Sequence, residues 1–148
     1  MLKKFYENQL IIFLFFNTFS YFSVKFFELD ILESEVFDSY FQVLDLTILF
    51  SDPLKSIIHQ HTQPPLFNIL IFLLHIIGGS LYENFIIMNV LSVSTISIII
   101  FKILYEISNK FKFAFIISFC FLIFPSTILY TTYSFYPCIT ALGYTILI

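Results

Sequence analysis

Long apolar runs that recur along the chain constrain its fold more than any other feature. A helix that crosses a bilayer needs about 20 mostly apolar residues, and runs of comparable character cover 10–27, 85–107, 113–130 and 137–148. The chain is 59% hydrophobic and 11% charged, which leaves too little polar surface for a soluble domain. Because the runs lack the alternation of barrel strands, the sequence predicts an all-α, polytopic membrane protein.

One polar segment, residues 28–63, separates the first run from the rest. It contains seven of the ten acidic residues of the chain, and we expect it to lie outside the bilayer. Lys3 and Lys4 precede the first run, so the positive-inside rule places the N-terminus in the cytoplasm. The sequence contains no basic patch of the kind that binds nucleic acid, and nucleic acid is not an expected partner.

A fifth apolar run, 66–77, decides the topology. It has twelve residues, which is short for a span and typical of a re-entrant or interfacial helix. If it does not cross, Lys110 and Lys112 lie in the cytoplasm, as the positive-inside rule favours. We therefore predict about four spans plus one interfacial helix, with five spans as the alternative.

The same pattern predicts one transmembrane module over residues 1–148. The first span covers 1–27, an outer loop with interfacial helices covers 28–83, and three further spans cover 84–148. Since the last run stops without flanking polar residues, we expect the chain to be a piece of a larger membrane protein.

The acidic segment contains an amphipathic pattern. Its polar residues recur at spacings of three and four, which places them on one helix face: Glu35, Asp38, Gln42 and Asp45. The simple interpretation is a helix lying on the membrane with its carboxylates in water. The functional interpretation is a carboxylate that acts as general base on an acceptor.

A second group of polar residues runs from His59 to Phe67. Thr62 is a candidate N-cap, and Pro64 and Pro65 suit the first turn of the helix that follows. A helix N-terminus attracts phosphate, although two prolines remove donors there. The alternative is a plain polar loop. His59 and His61 are also candidate ligands for a divalent metal, and Asp52 is a candidate to join them, but the spacing supplies no third ligand of a metal motif.

Two tyrosines, one histidine and the two cysteines also have candidate roles. Tyr133 and Tyr136 fit either an interfacial aromatic belt or a substrate site near the acidic segment. We expect His75 to be a helix-packing group. Cys120 and Cys138 are expected to be free thiols because both lie in or near apolar runs.

Taken in order, these residues resemble the start of the polytopic GT-C glycosyltransferases, of the protein O-mannosyltransferase and aminoarabinose transferase type. The resemblance lies in a basic N-terminus, one span and an acidic outer loop containing Asp38-Ser39-Tyr40-Phe41. The stretch His61-Thr62-Gln63-Pro64-Pro65-Leu66-Phe67 then opens a helix, as a His, Pro-Pro-Leu and aromatic motif does in that family. The segment from Phe124 to Pro137 is similar to the family's second outer loop.

The resemblance implies a sugar donor linked to dolichyl or undecaprenyl phosphate, and a protein or glycolipid acceptor. Asp38 would deprotonate the acceptor hydroxyl, with Asp45 and then Asp30 as alternatives, and transfer would invert the anomeric carbon. His61, Gln63 and Pro65 would lie near the lipid phosphate, with Tyr133 and Tyr136 near the substrate. The membrane would be the bacterial cytoplasmic membrane or that of the endoplasmic reticulum. A non-enzymatic multi-pass protein, either a transporter fragment or a scaffold, is the competing hypothesis.

Overall fold

The protein is helical wherever the structure describes it. The computed structural model describes residues 2–27, 46–59, 65–132 and 137–147, of which 93% are helical and none is in a strand. The helices in these ranges are α1 (Leu2–Phe27), α2 (Leu46–Ser51), α3 (Pro53–His59), α4 (Pro65–Ile76), α5 (Leu81–Ser108), α6 (Phe111–Ile123), α7 (Pro125–Thr132) and α8 (Pro137–Leu147). The predicted all-α class is confirmed.

Two of these helices are long and apolar enough to cross a membrane. They are α1, from Gln9 to Phe27, and α5. A third candidate is the pair α6 and α7, which bend by 53° where they meet. The helices α4 and α8 are apolar but shorter. The described residues thus contain two or three candidate spans, which is consistent with a membrane protein.

The bend between α6 and α7 divides the run 113–130, which the sequence analysis treats as one span. It occurs at Phe124, directly before Pro125. Proline has no N–H to donate to the carbonyl four residues earlier, and its ring clashes with that carbonyl. The first residue of α7 therefore breaks the helix.

The chain divides into two compact units. The terminal unit comprises residues 1–30 and 87–148, and the central unit comprises residues 31–86. In the terminal unit, α1 packs against α6 and α7, and α8 packs against α7. In the central unit, α2, α3 and α4 contact one another.

Phenylalanine rings join α1 to α6, and we call this contact the aromatic seam. The ring centroids of Phe16 and Phe115 are 5.5 Å apart, and those of Phe19 and Phe119 are 4.7 Å apart. Tilted pairs at such distances are a favourable arrangement for aromatic rings. Because Phe16 is fully buried, the seam forms the centre of the terminal unit's core.

Two hydrogen bonds connect α5 to the bent pair. Ser97 Oγ donates to the carbonyl of Ser118 in α6 at 2.7 Å, and Asn89 Nδ2 donates to the carbonyl of Thr131 in α7 at 3.2 Å. From the first bond to the second, the acceptor moves toward the C-terminus, from Ser118 to Thr131, while the donor moves toward the N-terminus, from Ser97 to Asn89. The pair α6 and α7 therefore runs antiparallel to α5 on both sides of the bend.

Proline and glycine set the limits of α4. The helix begins at Pro65, where a fixed φ and a missing N–H suit a first turn. It is followed by Gly78 and Gly79, whose φ angles are +84° and +78°. Side chains disfavour this left-handed region, so glycine at both positions allows the chain to turn sharply into α5. The apolar run 66–77 agrees with these bounds to within one residue at each end.

Candidate functional site

Most of the predicted site residues lie outside the described residues. These are Asp38, Asp45, His61, Gln63, Tyr133 and Tyr136, together with the fallback Asp30 and the predicted amphipathic helix around Asp38. Two other predicted residues border the described helices: His59 is the last residue of α3, and Pro65 is the first residue of α4. The roles assigned to all of them stay predictions.

The structure does describe the framework on either side of the histidine-proline motif. The helices α3 and α4 pack against each other, and α2 contacts both. The chain leaves α3 at His59 and enters α4 at Pro65. The two ends of the segment 60–64, which contains His61 and Gln63, are thereby fixed relative to each other.

Asp52, which the sequence analysis considered as an extra metal ligand, caps α3. Its Oδ1 accepts a hydrogen bond from the backbone N–H of Lys55 at 3.4 Å, and its carbonyl accepts one from the N–H of Ser56 at 2.9 Å. Pro53 occupies the first helical position, where its missing N–H costs nothing. Within the described ranges, no three His, Cys, Asp or Glu side chains form a group that would hold a metal ion.

A shallow depression of about 450 Å³ lies on the surface of α2 and α3. Its lining residues are Ile48, Ser51, Asp52, Lys55 and Ser56. The hydroxyls of Ser51 and Ser56 both donate to the carbonyl of Ile48, at 3.0 and 3.1 Å. Lys55, the only lysine between Lys25 and Lys102, is therefore the group here best suited to attract an anion. The sequence analysis did not select it, because a lone lysine forms no motif.

Two contacts at the C-terminal end of α4 fix its position in the central unit. The rings of His75 and Phe50 stack with centroids 3.7 Å apart, so the prediction that His75 is a packing group is confirmed. Asn84, in the first turn of α5, donates through Nδ2 to the carbonyls of Leu74 at 3.0 Å and Gly78 at 2.8 Å. Carbonyls at a helix end lack helical donors, and Asn84 satisfies two of the carbonyls in this corner.

The opposite side of α4 is apolar and uncovered. Its packed face consists of Phe67, Asn68, Ile71 and Leu74, which are buried. The exposed stripe consists of Leu66, Ile69, Leu73, Ile76 and the following Ile77. A helix that is hydrophobic on all sides is normally enclosed by protein or lipid. The exposed stripe of α4 is therefore a surface suited to contact with lipid or protein rather than water.

A cavity of about 320 Å³ lies in the terminal unit beside the bend. It is lined by Val93, Ile96, Phe121, Ser126, Thr127, Tyr130, Cys138 and Ala141. The thiol of Cys138 donates to the carbonyl of Tyr130 at 3.3 Å, and both Cys120 and Cys138 are free thiols, as predicted. Pro125 was the only signal in the sequence that could have indicated this cavity, because it forces the break that opens the space.

Comparisons with known proteins do not identify a family. No protein-family model matches the chain, and no curated protein or solved structure is significantly similar to it. The resemblance to GT-C glycosyltransferases therefore depends on the residues quoted above and on the topology.

Proposed function

We propose that this protein is a membrane glycosyltransferase that transfers a sugar from a lipid-phosphate-linked donor to an acceptor hydroxyl at the outer face. One observation carries the proposal. The segment His61–Pro64 leads directly into a helix that begins at Pro65, and that helix packs against the one that ends at His59. The resemblance requires a helix opening at this motif, in the segment between the first and second spans.

In the proposed reaction, Asp38 removes the proton from the acceptor hydroxyl. The oxygen attacks the anomeric carbon of the donor sugar, the bond to the lipid phosphate breaks, and the configuration inverts. His61 and Gln63 hydrogen-bond the leaving phosphate, and Lys55 supplies positive charge on the same unit. The acceptor proton remains on Asp38 until solvent removes it.

The proposed topology has four spans: α1, α5, the broken pair α6 and α7, and α8. Both α4 and α8, with 12 and 11 residues, rise less than about 20 Å against a hydrocarbon core of about 30 Å, so length alone does not separate them. The supporting argument is that the ring of Phe67 in α4 lies 6.0 Å from that of Phe85, in the second turn of α5. A hairpin in which α4 ran antiparallel to α5 would place Phe67 nearer residue 91, and the observed contact therefore favours an α4 that lies along the membrane interface.

Single-cysteine labelling tests this topology. In a Cys120→Ser/Cys138→Ser background, Ser51→Cys and Ser108→Cys are exposed separately to a membrane-impermeant maleimide added from outside. We expect labelling at position 51 only. Labelling at both positions would mean that α4 crosses the membrane, and the four-span topology would be wrong.

The catalytic assignment is tested in membranes that contain the full chain. Radiolabelled dolichyl- and undecaprenyl-phosphate sugars serve as donors, and incorporation into protein and glycolipid is measured. Loss of a general base typically lowers the rate about 100-fold or more, which we expect for Asp38→Asn. Asp52→Asn is the matched control, because asparagine caps a helix as well as aspartate does.

Each outcome of this experiment bears on the proposal. Full transfer by Asp38→Asn together with lost transfer by Asp45→Asn would move the base to Asp45. Full transfer by both variants would mean that neither Asp38 nor Asp45 acts as the general base. A chain that inserts normally and transfers no sugar from either donor would contradict the proposed function.

One observation favours a second candidate, a transporter-type protein. Transporters form binding sites near the bilayer midplane from discontinuous helices, and the bend beside the cavity is such a break. Intramembrane Asp, Glu, Lys, Arg and His residues commonly mark transport pathways, and none occurs among the eight described residues that line the cavity. Glycosyl transfer therefore remains the better-supported proposal.

A further inference from the structure

We propose that the cavity beside the bend in the terminal unit binds one hydrocarbon chain of a membrane lipid. The inference rests on the membrane-spanning placement of α5 and the broken pair, which belongs to the proposed topology. It does not depend on sugar transfer.

The depth of the cavity is the first argument. The eighteen residues from Asn84 to Phe101 separate Glu83 from Lys102 without a charge, and they rise about 27 Å, close to the thickness of the hydrocarbon core. Val93, which lines the cavity, lies at the middle of this stretch. In a bilayer crossed by α5, the cavity is therefore at the level of the lipid chains.

The mouth of the cavity is the second argument. Among the lining residues, Ser126, Tyr130 and Ala141 are exposed, whereas Val93, Ile96 and Cys138 are buried and form the floor. The exposed residues belong to α7 and α8, and neither helix contains a charged side chain in its sequence. Phe124, which directly precedes α7, and Tyr144, which lies in α8, are also exposed. A charge-free surface at this depth faces hydrocarbon rather than water or headgroups.

The lining and the size of the cavity favour a hydrocarbon chain over an ion or a phosphate headgroup. A buried ion or phosphate headgroup is normally paired with an opposite charge. None of the eight described lining residues is charged, although three of them have hydroxyl groups. At about 320 Å³, the cavity is roughly twice the size of an apolar cavity of about 150 Å³ that binds benzene. A single flexible hydrocarbon chain is both apolar and thin enough to enter.

Photolabelling tests the inference directly. The full chain is reconstituted in phosphatidylcholine vesicles in which a small fraction of the lipid has a diazirine near the middle of one acyl chain. After irradiation, labelled residues are mapped by mass spectrometry. We expect labels on the floor residues Val93 and Ile96, and on Ile116 and Ile117, which are exposed on α6 and serve as the internal control.

Two variants separate a chain inside the cavity from lipid at its edge. Ala141→Trp fills the mouth, and Val93→Phe fills the floor. We expect each to reduce floor labelling at Ile96 several-fold and to leave labelling of Ile117 unchanged. Thermal unfolding in detergent at the wild-type temperature shows that each variant has retained its fold, and the two substitutions change the cavity at its mouth and at its floor.

Two results would overturn the inference. Absence of floor labels in the wild-type protein, with Ile117 labelled, would mean that lipid chains do not enter the cavity. Floor labels that persist in both variants would place the labelled chain elsewhere. Asp38→Asn should label like the wild-type protein, so loss of sugar transfer and loss of lipid binding are distinguishable.

Discussion

The terminal and central units contain similar apolar residues but hold them together in different ways. In the terminal unit, long helices meet through the aromatic seam and through side chains that donate to carbonyls of neighbouring helices, as Ser97 and Asn89 do. In the central unit, the ends of the short helices are determined by a proline, a glycine pair and a helix cap at Asp52. The hydrogen bonds that Asn84 donates to two carbonyls add to these. Packing between helices dominates the first unit, and local backbone geometry dominates the second.

This difference follows from the surroundings that each unit is expected to have. Helices in lipid gain little from the hydrophobic effect, because lipid tails are as apolar as the side chains, so close packing and interhelical hydrogen bonds determine how they associate. Short helices have a costly nucleus and few internal bonds, so their limits depend on caps and turn residues. Substitutions of each kind should therefore act mainly in one unit.

The largest effect is expected from Phe16→Ala in the aromatic seam. The side chain is fully buried, and truncation of a buried phenylalanine costs about 3 to 5 kcal/mol in soluble cores. Because transfer into lipid recovers part of this, we expect a loss near 3 kcal/mol in the free energy of unfolding, measured by denaturant titration in detergent micelles. Phe26→Ala, at a side chain that is 82% exposed, is the control. Equal losses for the two variants would contradict the packing argument.

The next effect is expected from Asn84→Ala in the central unit. The substitution removes two hydrogen bonds to carbonyls, each worth about 1 kcal/mol. Amide exchange should accelerate in the last turn of α4, while exchange in α6 remains unchanged. The same substitution at Asn89, which makes an interhelical bond in the terminal unit, should cost about 0.6 kcal/mol, the mean for such bonds in membranes. A larger effect at Asn89 than at Asn84 would reverse the comparison.

The third prediction is a difference in sign between two glycines, each with a smaller effect than Asn84→Ala. Gly79→Ala places a side chain at a φ of +78°, which costs about 1 to 2 kcal/mol through the backbone alone, because a Cβ there would meet no atom within 4 Å. Gly143→Ala makes the same chemical change inside α8, also in open space, and should stabilise that helix by up to about 1 kcal/mol. Thermal unfolding of both variants in the same detergent tests the prediction, which fails if Gly79→Ala is neutral.

Local signals in the sequence predicted the parts of the fold that depend on local chemistry. The candidate spans α1 and α5 follow from the length of apolar runs, and the limits of α4 follow from Pro65 and the Gly78-Gly79 pair. The bend at Phe124 was also encoded locally, by Pro125, but the continuous apolar pattern of the run obscured it. The limits and bends of helices are thus predictable where proline or glycine imposes a strong backbone preference.

Tertiary features were not predictable in the same way. Asn84 and Asn89 look alike in the sequence, and only the fold shows that one satisfies the α4 corner while the other reaches α7. The cavity depends on side chains from four helices, which no sequence spacing relates. Of the predicted site, the sequence gives the chemistry of Asp38 and His61, and the described residues show only the helices on either side of His61.

The two hydrogen bonds from α5 to the broken pair imply a mismatch in length. Their donors, Asn89 and Ser97, are eight residues apart, about 12 Å along a helix, whereas their acceptors, Ser118 and Thr131, are thirteen residues apart, about 20 Å if the path were straight. The broken pair is therefore longer than the distance it covers beside α5. The bend of 53° at Phe124 takes up part of this surplus, and the cavity lies beside that bend. A straight helix shorter by about one or two turns would meet the same two donors without a bend.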